Sequence, residues 1–139
     1  MIDKIIVETT DVVSAAVTGA SDVVTALREA TTRQVTGVLK EAGTTGVTAT
    51  DAVSSVVTGG IKAVSSIGED VGTLAVHIVE SAVSTAGSIG VGSIEVTKAA
   101  VVAAIKAADE IGGEGGGAVR NALMSAASLP KDIVESAIK

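Results

Sequence analysis

Residues 51–72 read DAVSSVVTGGIKAVSSIGEDVG, and the tetrapeptide AVSS stands in them twice, at 52–55 and 63–66, eleven residues apart. Eleven residues close three turns at about 3.67 residues per turn, near the 3.6 of a straight α-helix. An apolar stripe on that period runs along one helix face with little drift. From Val53 it passes Val56, Gly60, Val64, Ile67, Val71, Ala75, Ile78, Ala82, Ala86 and Ile89. Every member but Gly60 is aliphatic. The opposite side carries Ser54, Thr58, Lys62, Ser65, Thr73, His77, Glu80 and Ser84. This is the pattern of an amphipathic helix with a broad apolar face.

The period extends in both directions. Upstream, DVVSAAVTGAS (11–21) and DVVTALREATT (22–32) share DVV at the same offset, and Asp51 restarts the register after TTGVTAT (44–50). Downstream it continues through STAGSIGVGSI and EVTKAAVVAAI to residue 111. Valine, threonine and glycine pull the other way, toward strands and turns, so a β-solenoid is the competing fold. Strand-like alternation is confined to short pieces such as SIEVT (93–97). The period decides for an all-α fold: long amphipathic helices on an eleven-residue repeat, forming an elongated helical hairpin or bundle that self-associates.

Punctuation divides the chain. A first amphipathic helix is expected within 1–43, ending at Gly43, with a turn at 44–50. Thr50 or Asp51 caps a long helical repeat region over 51–111, bent or broken at GSIGVG (87–92). Because the register survives through 87–92, this region is also readable as one bent helix of about 60 residues, roughly 90 Å long. GGEGGG (112–117) reads as a flexible glycine linker, and 118–139 as short C-terminal helices with Pro130 in the first turn of the last. Gly68 and Gly72 form a GxxxG pair that admits close helix approach; Gly112 and Gly116 repeat the spacing within the linker.

Composition narrows the function. The 139 residues include no Phe, Tyr, Trp or Cys and one Pro, and 47% are hydrophobic. The apolar side chains are small, so one copy buries little surface per residue, and self-association would supply more. The net charge of −6 and the absent aromatics argue against nucleic acid. The N-terminus MIDKIIVETT lacks the apolar core of a secretory signal. The longest aliphatic run, AAVVAAI at 99–105, is far short of the roughly 20 residues that span a bilayer. A cytoplasmic location is expected, free or peripheral to a membrane or granule surface.

Residues for chemistry are sparse. His77, the single histidine, falls on the polar face and reads as a solvated surface residue. No second His or Cys accompanies it as a metal ligand, and no GxSxG elbow is present. Glu69-Asp70 and Asp109-Glu110 are adjacent in sequence, so on a helix they point about 100° apart and form no facing dyad. Glu29 and Arg33 are spaced for an i,i+4 ion pair. No catalytic residue, cofactor or metal site is expected.

A stripe on this period must face something continuous, either other helices or a flat apolar surface. The periodicity over 11–43 and 51–111 resembles that of proteins coating lipid surfaces through eleven-residue amphipathic repeats, among them synucleins, exchangeable apolipoproteins and perilipins. It is similar also to the helices of phasins on polyester granules. The KTKEGV core of the synuclein repeat is absent. That resemblance implies an alternative role as a coat on a lipid droplet, storage granule or membrane. Small β-branched residues pack between helices better than they insert into lipid. The expectation is therefore a non-enzymatic scaffold, a homo-oligomer or part of a larger assembly. Its interface would be Val53, Val56, Val64, Ile67, Val71, Ile78 and Ile89, with Gly68 and Gly72 allowing close approach.

Overall fold

The computed structural model describes residues 2–45, 48–68, 70–126 and 129–138. These form seven α-helices: α1 (Ile2–Val17), α2 (Val23–Thr45), α3 (Ala49–Ile67), α4 (Val71–Ile89), α5 (Ile94–Ile111), α6 (Gly113–Ser125) and α7 (Lys131–Ile138). No strand occurs among the described residues, so the β-solenoid is not supported.

The helices stand in two rows. In one, α1 packs on α3 and α3 on α5; in the other, α2 packs on α4 and α4 on α6. Contacts within a row advance together along both helices. Ser54 Oγ meets the Ala99 carbonyl at 3.3 Å, and Lys62 pairs with Glu110 at 3.1 Å. Arg28 reaches Glu80 at 3.1 Å, and Thr85 Oγ1 donates to Thr32 Oγ1 at 3.3 Å. α3 and α5, and likewise α2 and α4, are therefore parallel, and successive hairpins stack side by side, as in helical repeat arrays. α7 closes the stack against α5 and α6.

Each break has a local cause. Asp22 accepts from the Thr25 backbone N–H at 3.1 Å and from its hydroxyl at 2.8 Å, which starts α2. Asp70 does the same for Thr73 at the start of α4. Thr48 caps α3 and Ser93 caps α5. Gly19, Gly68, Gly90 and Gly112 all have positive φ at helix ends. After α4 the Val91 N–H bonds the Ala86 carbonyl at 3.0 Å and the Gly90 N–H bonds that of Gly87 at 3.1 Å. That pair of bonds is a Schellman turn, which satisfies two orphan carbonyls.

Several expected boundaries are thereby corrected. The helix expected within 1–43 is two helices, α1 and α2, divided at residues 18–22, and α2 passes Gly43 to end at Thr45. Thr48, not Thr50 or Asp51, caps α3. The 44–50 turn falls partly outside the described residues, as does Glu69 of the expected acid pair. The region 51–111 is three helices lying side by side, not a single bent rod. Residues 113–117 are no linker: they form the first turns of α6. Strand-like SIEVT is the cap and first turn of α5.

A longer repeat explains why the register outlives the breaks. KAVSSIG (62–68) and KAADEIG (106–112) are 44 residues apart, and both end on the capping glycine of their helix. Gly72 and Gly116 follow at the same offset. Forty-four is four periods of eleven, so a hairpin can end and restart without shifting the phase of its apolar face.

The core is aliphatic and fine-grained. Val13, Leu27, Val57, Ile61, Val79 and Leu123 are among its fully buried side chains. Three glycines bring helices close. A Cβ on Gly59 would stand 2.7 Å from the Ile6 carbonyl oxygen of α1, one on Gly72 2.7 Å from that of Ala118 in α6, and one on Gly116 2.5 Å from that of Ala108 in α5. Each closes a different helix pair, and together they let Ala and Val fill a core without aromatic rings.

Candidate functional site

The expected interface stripe lies mostly inside this fold. Val53, Val56, Val64 and Ile78 are fully buried in the chain's own core, and Val71 nearly so. Ile67 is half-buried against that core. The two glycines of the GxxxG pair do different jobs. Gly68 is an exposed helix cap with φ +81°, whereas Gly72 is buried and admits α6. The stripe is therefore satisfied by this chain's other helices. Ile89, at the end of α4, is the member left exposed, at 41%. Val91 and Ile94 join it across the α4–α5 turn, 36% and 69% exposed. Residues 87–94 carry no charge.

The polar groups converge elsewhere, in a groove of about 390 Å³ between α2 and α4. The parallel packing of these helices sets Arg28, Glu29, Thr32 and Arg33 of α2 opposite Ser81, Ser84 and Thr85 of α4. Through Arg28 and Ser84 it continues into a second compartment of about 470 Å³, where Val83, Leu129 and Pro130 make an apolar lining.

Arg28 is tied down at the junction. Its Nη1 lies 3.0 Å from His77 Nδ1 and 3.1 Å from Glu80 Oε1. A guanidinium only donates, so Nδ1 must accept and the ring hydrogen sits on Nε2. His77 Nδ1 is also 3.6 Å from Glu80 Oε1. That contact becomes a charged pair only when the ring is protonated, and Nδ1 must then surrender Arg28. His77 is thus a half-buried member of a three-residue cluster, which corrects the solvated reading. Its partner Arg28 sits 49 positions upstream, beyond the reach of a local pattern.

The expected Glu29–Arg33 pair is not formed. The ion pairs among the described residues are Arg28–Glu80, Lys62–Glu110, Arg120–Asp109 and the conditional His77–Glu80. Ser81 is 3% exposed, and its Oγ has no hydrogen-bond partner among the described residues. The other buried hydroxyls are satisfied: Thr31 Oγ1 bonds the Leu27 carbonyl and Ser55 Oγ that of Asp51. Sequence reading missed the groove because its two walls are some 50 positions apart and only the parallel α2–α4 packing joins them.

Among the described residues, no cluster of three or more His, Asp or Glu could hold a metal ion. No helix there is long and apolar enough to cross a membrane. Comparison with protein-family models, curated proteins and solved structures finds no match to this chain.

Proposed function

We propose that this chain is a non-enzymatic scaffold: a short stack of helical hairpins that assembles with copies of itself through the corner formed by Ile89, Val91 and Ile94. The observation that carries the reading is the exposure of these three aliphatics around one uncharged turn. Clustered exposed apolar side chains mark contact surfaces, whereas single ones are ordinary. The outward face of α1 carries Asp3, Lys4, Glu8 and Asp11 exposed around one large exposed aliphatic, Val7, and that of α7 carries Lys131, Asp132 and Glu135. Polar faces at both ends of a repeat stack favour a stack that stops, so copies meet at the corner and not end to end.

The same uncharged turn also suits a second reading, contact with the apolar surface of a lipid droplet, storage granule or membrane. A cytoplasmic location, free or peripheral to such a surface, is part of the same proposal. Solution mass by light scattering, without lipid or detergent, tests the first reading. Concentration is read by refractive index, since the chain has no Trp or Tyr. A discrete oligomer or filament supports assembly. A monomer at all concentrations contradicts it, and co-flotation of that monomer with droplets would favour the surface role.

A further inference from the structure

Four of the five large apolar side chains exposed among the described residues stand at one edge of the stack. α3 and α5 run parallel, as do α2 and α4, and short turns join each helix to the next, so successive turns fall at opposite edges. Ser84, Thr97, Leu129 and Pro130 line one compartment, which sets the α4–α5 and α6–α7 turns side by side. Ile89, Val91 and Ile94 belong to the first of these turns, and Met124 stands at the end of α6, at the second. At the other edge a Cβ on Gly115 would lie 3.5 Å from Val71 Cγ1, so α4 and α6 both start there. The two edges differ in charge. No charged residue stands in sequence between Glu41 and Asp51, between Glu80 and Glu95, or between Arg120 and Lys131. The opposite edge carries Asp22, Asp70 and Glu114, each capping its helix or in its first turn.

We infer that two copies join about a two-fold axis, uncharged edge against uncharged edge, with the acidic edges pointing away. This rests on the self-assembly proposed above and fixes its geometry: Met124 and the α6–α7 turn belong to the contact along with the corner, and the assembly closes as a dimer. A two-fold contact sets a patch against its own copy. A single-sign patch would there meet its own charge, and an uncharged one does not. α4 and α6 end at this edge while α5 and α7 begin there, so the helix dipoles alternate and largely cancel. The acids of a chain of net charge −6 are then held apart by two helix lengths. That is about 55 Å for 19-residue helices, several times the Debye length of about 8 Å. A lipid surface fits the edge less well. The aliphatic stripes are in the core, so helix ends and not helix faces point outward. Exposed hydroxyls, those of Thr48, Ser88, Ser93 and Ser125, stand among the aliphatics. Such groups find water or partners in a protein contact and none in hydrocarbon.

Dipolar distances between nitroxide labels test the geometry. The chain has no Cys, so one introduced thiol gives one label per copy, and every distance measured is between copies. Ser88→Cys places the label at the uncharged edge and Ser66→Cys at the acidic one, both at exposed positions. Light scattering should give twice 13.5 kDa. Labels at Ser88 should lie within about 30 Å of each other, and labels at Ser66 about 55 Å apart or more, two helix lengths. Met124→Asp, at a position 38% exposed, should yield a monomer with unchanged far-UV circular dichroism. If that variant loses helix, the label distances decide alone. Labels at Ser66 as close as those at Ser88 overturn the edge-to-edge dimer, as does a filament. So does a folded Met124→Asp chain that keeps its mass while Val91→Asp/Ile94→Asp loses it; that result leaves assembly through the corner standing. A monomer at all concentrations overturns both.

Discussion

At the scale of single residues, glycine does two opposite things in this chain. Gly59, Gly72 and Gly116 are contact points where a methyl group would press on a neighbouring carbonyl. Substituting any of them with alanine should cost about 1–3 kcal/mol, since the helix pair must separate or distort. Gly37 stands mid-helix in α2, exposed, with nothing within 4 Å of a Cβ. Gly37→Ala should therefore stabilise by about 0.5–1 kcal/mol. Denaturant unfolding followed by circular dichroism reads both, and equal effects at Gly37 and Gly72 would contradict the packing account. An acidic residue sets a pH dependence. The Asp22 carboxyl is held below its ordinary value, chiefly by the Thr25 backbone N–H and then by the Thr25 hydroxyl. Its ionised form is favoured in the fold, so its contribution is complete above the ordinary carboxylate range. It is lost as pH falls through the lowered value. Asp22→Asn should flatten stability against pH on the acid side and leave the neutral-pH slope alone; an unchanged acid limb would rule the cap out as its source.

At the scale of elements, the eleven-residue period suffices for helix and for which side of each helix is apolar. Val53, Val56, Val64 and Ile78 are core, as their places on the stripe require. It does not locate the breaks. TDVVSAAVTGA (10–20) and TDAVSSVVTGG (50–60) are close copies, yet Gly19 ends α1 while Gly59 lies inside α3. The residues that follow decide: Ser21-Asp22 supplies a cap for a new helix, whereas Ile61-Lys62 carries the apolar pattern onward. The glycine tract 113–117 misled for a related reason. Its glycines look like slack in the sequence, but Gly116 is where α6 approaches α5. The groove was less legible than the core, since Arg28 and His77 meet only because α2 and α4 run parallel. Placing the stripe in the core has a direct consequence. Val64→Asp buries an unpaired charge and should destabilise by more than about 4 kcal/mol, abolishing helix in a monomer and in an oligomer alike. A Val64→Asp chain that keeps its helix and loses only its association would put the stripe back on an outer surface.

At the scale of the whole molecule, the stack solves the problem of a core built from small side chains. Helices in two rows, pinned together at glycines, let each helix of the inner hairpin touch neighbours on several sides. Close approach compensates for side chains that each bury little area. One chain can then satisfy the stripe that would otherwise demand a partner, and the corner at Ile89, Val91 and Ile94 stays exposed as the surface proposed for assembly. These positions are exposed, so charge introduced there should alter assembly and spare the fold. The deciding measurement is the mass and helicity of the Val91→Asp/Ile94→Asp double variant, by light scattering and far-UV circular dichroism on the same samples. The account predicts a monomer of 13.5 kDa with the helix content of the unaltered chain and a cooperative thermal transition. Loss of helix on becoming a monomer would show that the stripe needs a second copy to be buried, and would contradict the single-chain core.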